Sequence, residues 1–206
     1  VERAMSAPER VRQVVAYILE HFDQKTKRNS AYMLKDQRVQ GFNSLFATAS
    51  IAMARQYYAE FGRQLAERGQ RLNVALIYSF SPNEADPDEL FPDESFDTNA
   101  LDQSSRDFLD AAIADYNAAF LTNFDTSADK LENYYKDLSL RVKARQVDML
   151  IVVNMFLTGF DATTLNTLWV DKNLRQHGLL QAFSRTNRIL NSVKTYGNIV
   201  CFRDLQ

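Results

Sequence analysis

The sequence predicts an α/β fold, a three-layer parallel sheet with helices on both faces, and two observations carry that expectation. Short apolar runs recur along the chain: Gly41–Ala47, Val74–Tyr78, Met149–Val153, Leu168-Trp169-Val170 and Ile199–Phe202. They are nearly continuous rather than alternating, which is the pattern of strands buried on both faces. Between them lie segments whose apolar residues recur at helical spacing, and strands alternating with helices build parallel sheets.

From the N-terminus, Ser6-Ala7-Pro8-Glu9 reads as a capping box with proline early in the helix, followed by Val11, Val14, Val15, Ile18, Leu19 and Phe22 along one face. A polar stretch runs through Lys35, and the strand at Gly41–Ala47 follows. Thr48 or Ser50 then caps a helix carrying Ile51, Ala54, Tyr58, Phe61 and Leu65, which ends near Gly69. After Val74–Tyr78 comes an acidic, proline-containing segment, residues 81–104, expected as an exposed insertion. Helical spacing resumes at Phe108, Ala112, Ile113 and Tyr116, and again at Leu131, Tyr135, Leu138 and Val142. A last helix is expected from about Leu179 to Leu190.

The chain has 206 residues, 46% of them hydrophobic and 24% charged, ordinary globular values for one domain with an appendage. No run of about 18 apolar residues occurs, so no membrane partner is expected and a cytoplasmic protein is. Cys201 is the only cysteine, which excludes an internal disulfide, and its apolar surroundings predict a core position. His21 and His177 are isolated, so no metal site is expected. The net charge of −2 excludes a strongly basic nucleic-acid-coating protein, but the sign is uneven. Glu84, Asp86, Asp88, Glu89, Asp93, Glu94, Asp97 and Asp102 fall in a stretch without Lys or Arg, so bases outnumber acids elsewhere.

In parallel sheets ligands bind beyond the carboxyl ends of the strands, which directs attention to the loops after Ala47, Val153 and Val170. The loop after Val153 contains Thr158-Gly159-Phe160-Asp161. It can offer phosphate a backbone N–H and a hydroxyl, and ribose a carboxylate; equally, a turn glycine and a helix cap explain the same residues. On the last helix, Gln181, Ser184, Arg185 and Arg188 share one face, opposite Leu179, Phe183 and Leu190. Two arginines three residues apart form a planar pair of forks suited to phosphate oxygens, or a solvated face. The segment from Lys130 to Arg145, with Lys136, Arg141, Lys143, Tyr134 and Tyr135, offers a DNA-backbone contact or, again, a solvated helix with core tyrosines.

Taken together, Thr158-Gly159-x-Asp161 followed about twenty residues later by Gln181-x-x-Ser184-Arg185-x-x-Arg188 resembles motifs V and VI of superfamily 2 helicases. The strings Val153–Asp161, Val170–Leu174 and Gln181–Arg188 resemble in particular the restriction (R) subunit of type I restriction-modification enzymes, and Phe46–Phe61 and Tyr134–Asp137 extend the likeness. Ser184 stands where the general helicase pattern has glycine, a difference shared with the R-subunit string.

The resemblance implies a RecA-like (P-loop NTPase-like) helicase domain 2. Residues 1–30 would be a helix and connector from a preceding motor domain, and 31–206 the motor domain itself with its insertion 81–104. Arg185 and Arg188 would contact the γ-phosphate of ATP, with Gln181 holding the network. Gly159 and Asp161 would approach the nucleotide, and Thr158 and Thr48 would contact the DNA backbone. No Gly-x-x-x-x-Gly-Lys-Ser/Thr loop is present, and neither Asp-Glu pair follows an apolar strand. Phosphate cradle and Mg²⁺ ligands are therefore expected in the first motor domain. Implied partners are double-stranded DNA, the first motor and endonuclease domains of the same subunit, and the modification and specificity subunits. Two alternatives stay open: a non-catalytic helicase-like interaction module, and a motor domain of another superfamily 2 translocase.

Overall fold

A computed structural model describes residues 6–78, 102–153, 162–173, 184, 186–188, 190 and 192–203. Its first helix, α1 (Pro8–Lys25), buries Val11, Val14, Val15, Ile18, Leu19 and Phe22, the apolar face expected from their spacing. The capping box does not form. Ala7 occupies the N-cap, and the Glu9 carboxylate accepts from Arg12 and Gln13, whose donors lie one turn on.

The polar stretch beyond α1 holds an antiparallel hairpin, β1 (Ala31–Leu34) and β2 (Gln37–Gln40), joined by a turn in which Lys35 takes φ 54. Only Tyr32 of the pair is buried; its ring stacks on Phe42 at 4.6 Å and its hydroxyl donates to Gly41 O at 3.0 Å. Burial pushes the Tyr32 phenol up to about 12. Gly41 has φ +61, and a Cβ there would lie 2.7 Å from Arg28 Cα, so this junction between hairpin and sheet admits no side chain without a backbone shift.

The remaining elements are β3 (Asn43–Thr48), α2 (Ile51–Arg68), β4 (Val74–Tyr78), α3 (Gln103–Phe120), α4 (Ala128–Lys143), β5 (Met149–Val153), β6 (Leu165–Asp171) and β7 (Asn198–Cys201). Ser50, rather than Thr48, caps α2, accepting from Met53 N at 3.2 Å. Asp102 caps α3 through Ser105 N at 2.8 Å, so a helix begins inside the span expected as insertion. An acidic side chain at an N-cap is a start signal, and Asp102 reads as such once Leu109, Ala112, Ile113 and Tyr116 are seen buried behind it.

Strands β3 to β7 form one parallel sheet in the order β4-β5-β3-β6-β7. Every residue of β3, β5 and β6 is buried, which means both faces are covered, as the continuous apolar runs predict. Phe46 lies edge-on to Tyr57 and Phe61 of α2, at 4.7 and 6.0 Å. Each such side chain contributes about 1.5–3 kcal/mol by leaving water. Helix α4 is tied to the outer strand by Tyr134, whose hydroxyl donates to Leu76 O at 2.7 Å.

At the amino ends of the strands, polar side chains satisfy exposed carbonyls. Lys25 O, at the end of α1, accepts from Asn166, Thr167 and Asn198. Asn43 donates to Val142 O and Val147 O. These bonds hold α1 and α4 against the sheet, and leave its carboxyl ends for other work.

Candidate functional site

Because the sheet is parallel, β3, β5 and β6 finish at the same edge, and their register aligns the ends. Ala47 pairs with Val152, and Thr48 with Asp171. The three loops singled out in the sequence therefore leave the sheet side by side. Thr48 itself is fully buried, and its hydroxyl donates to Val152 O at 3.2 Å; Ala49 and Ser50, just beyond, are exposed.

Thr158, Gly159, Asp161, Gln181 and Arg185 lie outside the described residues, as does His177. Within the arginine-bearing segment, Ser184 and Thr186 are helical, whereas Asn187 and Arg188 are not, short of the helix end expected near Leu190. Ser184 and Arg188 are exposed and Thr186 is buried, while Leu179 and Phe183 of the expected apolar face lie outside the described residues. Gly197 packs against this segment so closely that a Cβ would lie 2.4 Å from Thr186 O and 2.5 Å from its Oγ1. The stretch leading to β7 is anchored further. Lys194, fully buried, donates to Thr163 O at 2.8 Å, and Lys27 donates to Val193 O at 2.6 Å.

Among the described residues, the densest polar constellation at the carboxyl edge surrounds Asp171, the last residue of β6. Its side chain has no exposed surface, and two arginines share it. Arg10 of α1 donates to both carboxylate oxygens, at 2.6 and 3.0 Å, and Arg203, just past β7, donates through Nε at 2.9 Å. The Tyr57 hydroxyl of α2 donates to Oδ2 at 2.6 Å, and Arg10 also reaches Phe202 O at 2.9 Å. Burial pushes the Asp171 carboxyl up, but donation from Arg10, Tyr57 and Arg203 outweighs it and holds the group below its ordinary range. The Tyr57 phenol is driven far up by burial and by its bond to Asp171. Burial alone lowers the neighbouring Lys172 ammonium.

Sequence reasoning missed this cluster. Asp171 drew notice only as one letter of a matching string, and its partners lie 161, 114 and 32 residues away in the chain. The one local signal was a carboxylate closing an apolar strand, where burial demands a cationic partner.

The basic residues of α4 and its C-terminal flank are mostly compensated. Lys130 pairs with Asp125 at 2.8 Å, Lys136 with Glu132 at 2.6 Å, Arg141 with Asp137 at 2.7 Å and Arg145 with Asp148 at 2.9 Å. Tyr134 is fully buried and Tyr135 packs against the core. A cavity of about 540 Å³ lies at the opposite, amino end of the sheet, where Arg28, Arg141, Arg145 and Asp148 line it. Among the described residues there is no group of three or more His, Cys, Asp or Glu able to hold a metal ion. His21 stacks on Tyr17 at 4.1 Å, and Cys201 is half-buried against the core, its thiol raised by burial. No helix among the described residues is long and apolar enough to cross a membrane.

Comparison with known proteins agrees with this architecture. Residues 40–204 match the family described as type I restriction enzyme subunit R domain 3. The whole chain is 41% identical over 207 residues to the type I restriction enzyme SauMRSORF196P endonuclease subunit of Staphylococcus aureus (strain MRSA252), covering 20% of that protein. It is 39% identical over 200 residues, 96% of the chain and 19% of the relative, to the type I restriction enzyme SsaAORF53P endonuclease subunit of Staphylococcus saprophyticus. A shorter match, 38% over 71 residues, covers 34% of the chain and 6% of the type I restriction enzyme HindI endonuclease subunit of Haemophilus influenzae. The chain thus spans about a fifth of the length of the two staphylococcal relatives. With the parallel sheet, the motif spacing and a family match across most of its length, the chain belongs to the type I restriction enzyme R-subunit family, as the region corresponding to domain 3 of that subunit.

Proposed function

We propose that this region is the second motor lobe of an ATP-driven DNA translocase within a type I restriction subunit, completing an ATP site whose other half lies in a first motor domain. The observation that carries the reading is the alignment of the ends of β3, β5 and β6, from which the loops bearing the helicase-like motifs depart together. A parallel sheet offers its ligands that edge.

In this reading Arg185 and Arg188 donate to oxygens of the γ-phosphate, offsetting charge that develops on the transferred group. Gln181 orients the pair, and Gly159 and Asp161 approach the nucleotide. Thr158 and the Thr48 strand end contact the DNA backbone. Since the Thr48 hydroxyl is already donated to Val152, the exposed Ala49-Ser50 turn is the part of that end open to DNA. Among the described residues, the donor that this reading offers ATP is the exposed Arg188. In the same reading the first motor domain would supply the Mg²⁺ ligands, and the ion would offset charge on the phosphates. Closure of two lobes on ATP and reopening after hydrolysis would move the DNA grip along the duplex. The endonuclease domain of the same subunit and the modification and specificity subunits would complete the assembly, in the cytoplasm.

The test is a comparison of ATP turnover by this region alone and by the complete subunit, each with double-stranded DNA. The region alone is expected to remain at background, and the complete subunit to show DNA-stimulated turnover. Robust turnover by the region alone would sink the half-motor reading.

A further inference from the structure

At the Asp171 cluster two arginines meet on a single side chain. One buried carboxylate receives two guanidiniums, and its third partner, the Tyr57 hydroxyl, is neutral. Arg10 is committed through both terminal nitrogens, to Asp171, Tyr57 and Phe202 O. Arg203 is committed only through Nε. Its two Nη groups bond to no described residue, and its side chain is 12% exposed. Asp171 is the only carboxylate among the described residues that pairs with it.

Arg203 is also held before any ligand arrives. Phe202, which precedes it, donates its N–H to Val170 O at 2.8 Å and accepts from Arg10 through its carbonyl. The Phe202 ring packs between Phe46, at 6.4 Å, and Trp169, at 6.5 Å. With backbone and Nε both fixed, the fork at the end of Arg203 has little freedom left to lose on binding. It stands at the carboxyl edge, one strand from the Asp171 end and two from Thr48, where a parallel sheet meets its ligands.

On these grounds we propose that Arg203 is a phosphate-contacting residue of the carboxyl edge, positioned by Asp171. A fixed guanidinium fork matches phosphate oxygens, which accept two parallel charge-assisted bonds. The source is a nucleotide phosphate or the DNA backbone, and the assignment rests on the motor reading given above.

The experiment uses the complete subunit in its assembled enzyme, with Arg203→Gln and Arg203→Lys beside Arg188→Ala. Gln keeps one donor for Asp171 and loses the charge; Lys keeps the charge and loses the fork. Melting temperatures identify the folded variants, and Lys, the milder change, decides if Gln unfolds. If the phosphate is the nucleotide's, the KM for ATP rises about ten- to a hundredfold, as loss of a charge-assisted bond implies, while DNA affinity without nucleotide is unchanged. If it is the DNA's, DNA affinity falls and the slope of log affinity against log salt flattens by about 0.9, while the ATP KM holds. Folded variants that move neither quantity more than twofold overturn the proposal and leave Arg203 a structural ion pair. That result alongside an inactive Arg188→Ala leaves the motor reading standing; a fully active Arg188→Ala removes that reading instead.

Discussion

Arg10 and Asp171 lie 161 residues apart in sequence and meet at 2.6 Å, joining the first turn of α1 to the end of β6. The contact fixes where α1 crosses the sheet, and with Arg203 it fastens the last strand to the same point. Asp171→Ala leaves two guanidiniums around a vacated buried carboxylate. Removing one partner of a buried ion pair costs about 3–5 kcal/mol, and urea unfolding of the chain should show a loss of that size. A change within ~0.5 kcal/mol would mean that solvent reaches the cluster freely.

The same carboxylate sets a pH dependence. Its folded value lies below the ordinary one, so its contribution to stability is fully present above the unfolded value of about 3.9 and is lost as pH falls through the folded value. The stability difference between wild type and Asp171→Asn should stay flat from neutral pH to about pH 5 and shrink at lower pH. If the difference persists unchanged into strong acid, charge is not what Asp171 supplies.

Gly197→Ala tests the packing behind the arginine-bearing segment. The new Cβ would press on Thr186 O, a backbone atom that cannot rotate away. Overpacking of this kind costs about 1–3 kcal/mol. In the complete subunit the shift should also reduce ATP turnover, because Arg188 follows Thr186 by two residues. An unchanged melting temperature with unchanged turnover would show that the segment yields at no cost.

Much of this architecture is legible in the sequence, for identifiable reasons. The bounds of β4 and β5 match the runs Val74–Tyr78 and Met149–Val153, since strands buried on both faces tolerate few polar residues. The hairpin escaped because its apolar strand, Ala31–Leu34, is only four residues long and pairs with Gln37, Arg38 and Gln40, which are exposed, so no second apolar run marked the partner. The capping box failed where its letters were right: Pro8 begins the helix one residue later than a Ser6 cap requires. At the candidate site, hydrophobic runs located the edge at which β3, β5 and β6 end. The Asp171 cluster was out of reach. Its four side chains come from α1, α2, β6 and the residues past β7, and only the folded chain brings them together.

In the proposed motor, Arg188 acts with Arg185 on the phosphate of an ATP bound by another lobe. The most direct measurement is DNA-stimulated ATP turnover by the complete subunit carrying Arg188→Ala or Arg185→Ala, together with DNA affinity in the absence of nucleotide. At least one variant should lose about 10³–10⁵-fold in turnover, the loss expected on removing an arginine finger. The same variant should keep its DNA affinity and its melting temperature, since Arg188 is an exposed side chain. Two folded variants that hydrolyse ATP and translocate at near wild-type rates would contradict the motor reading.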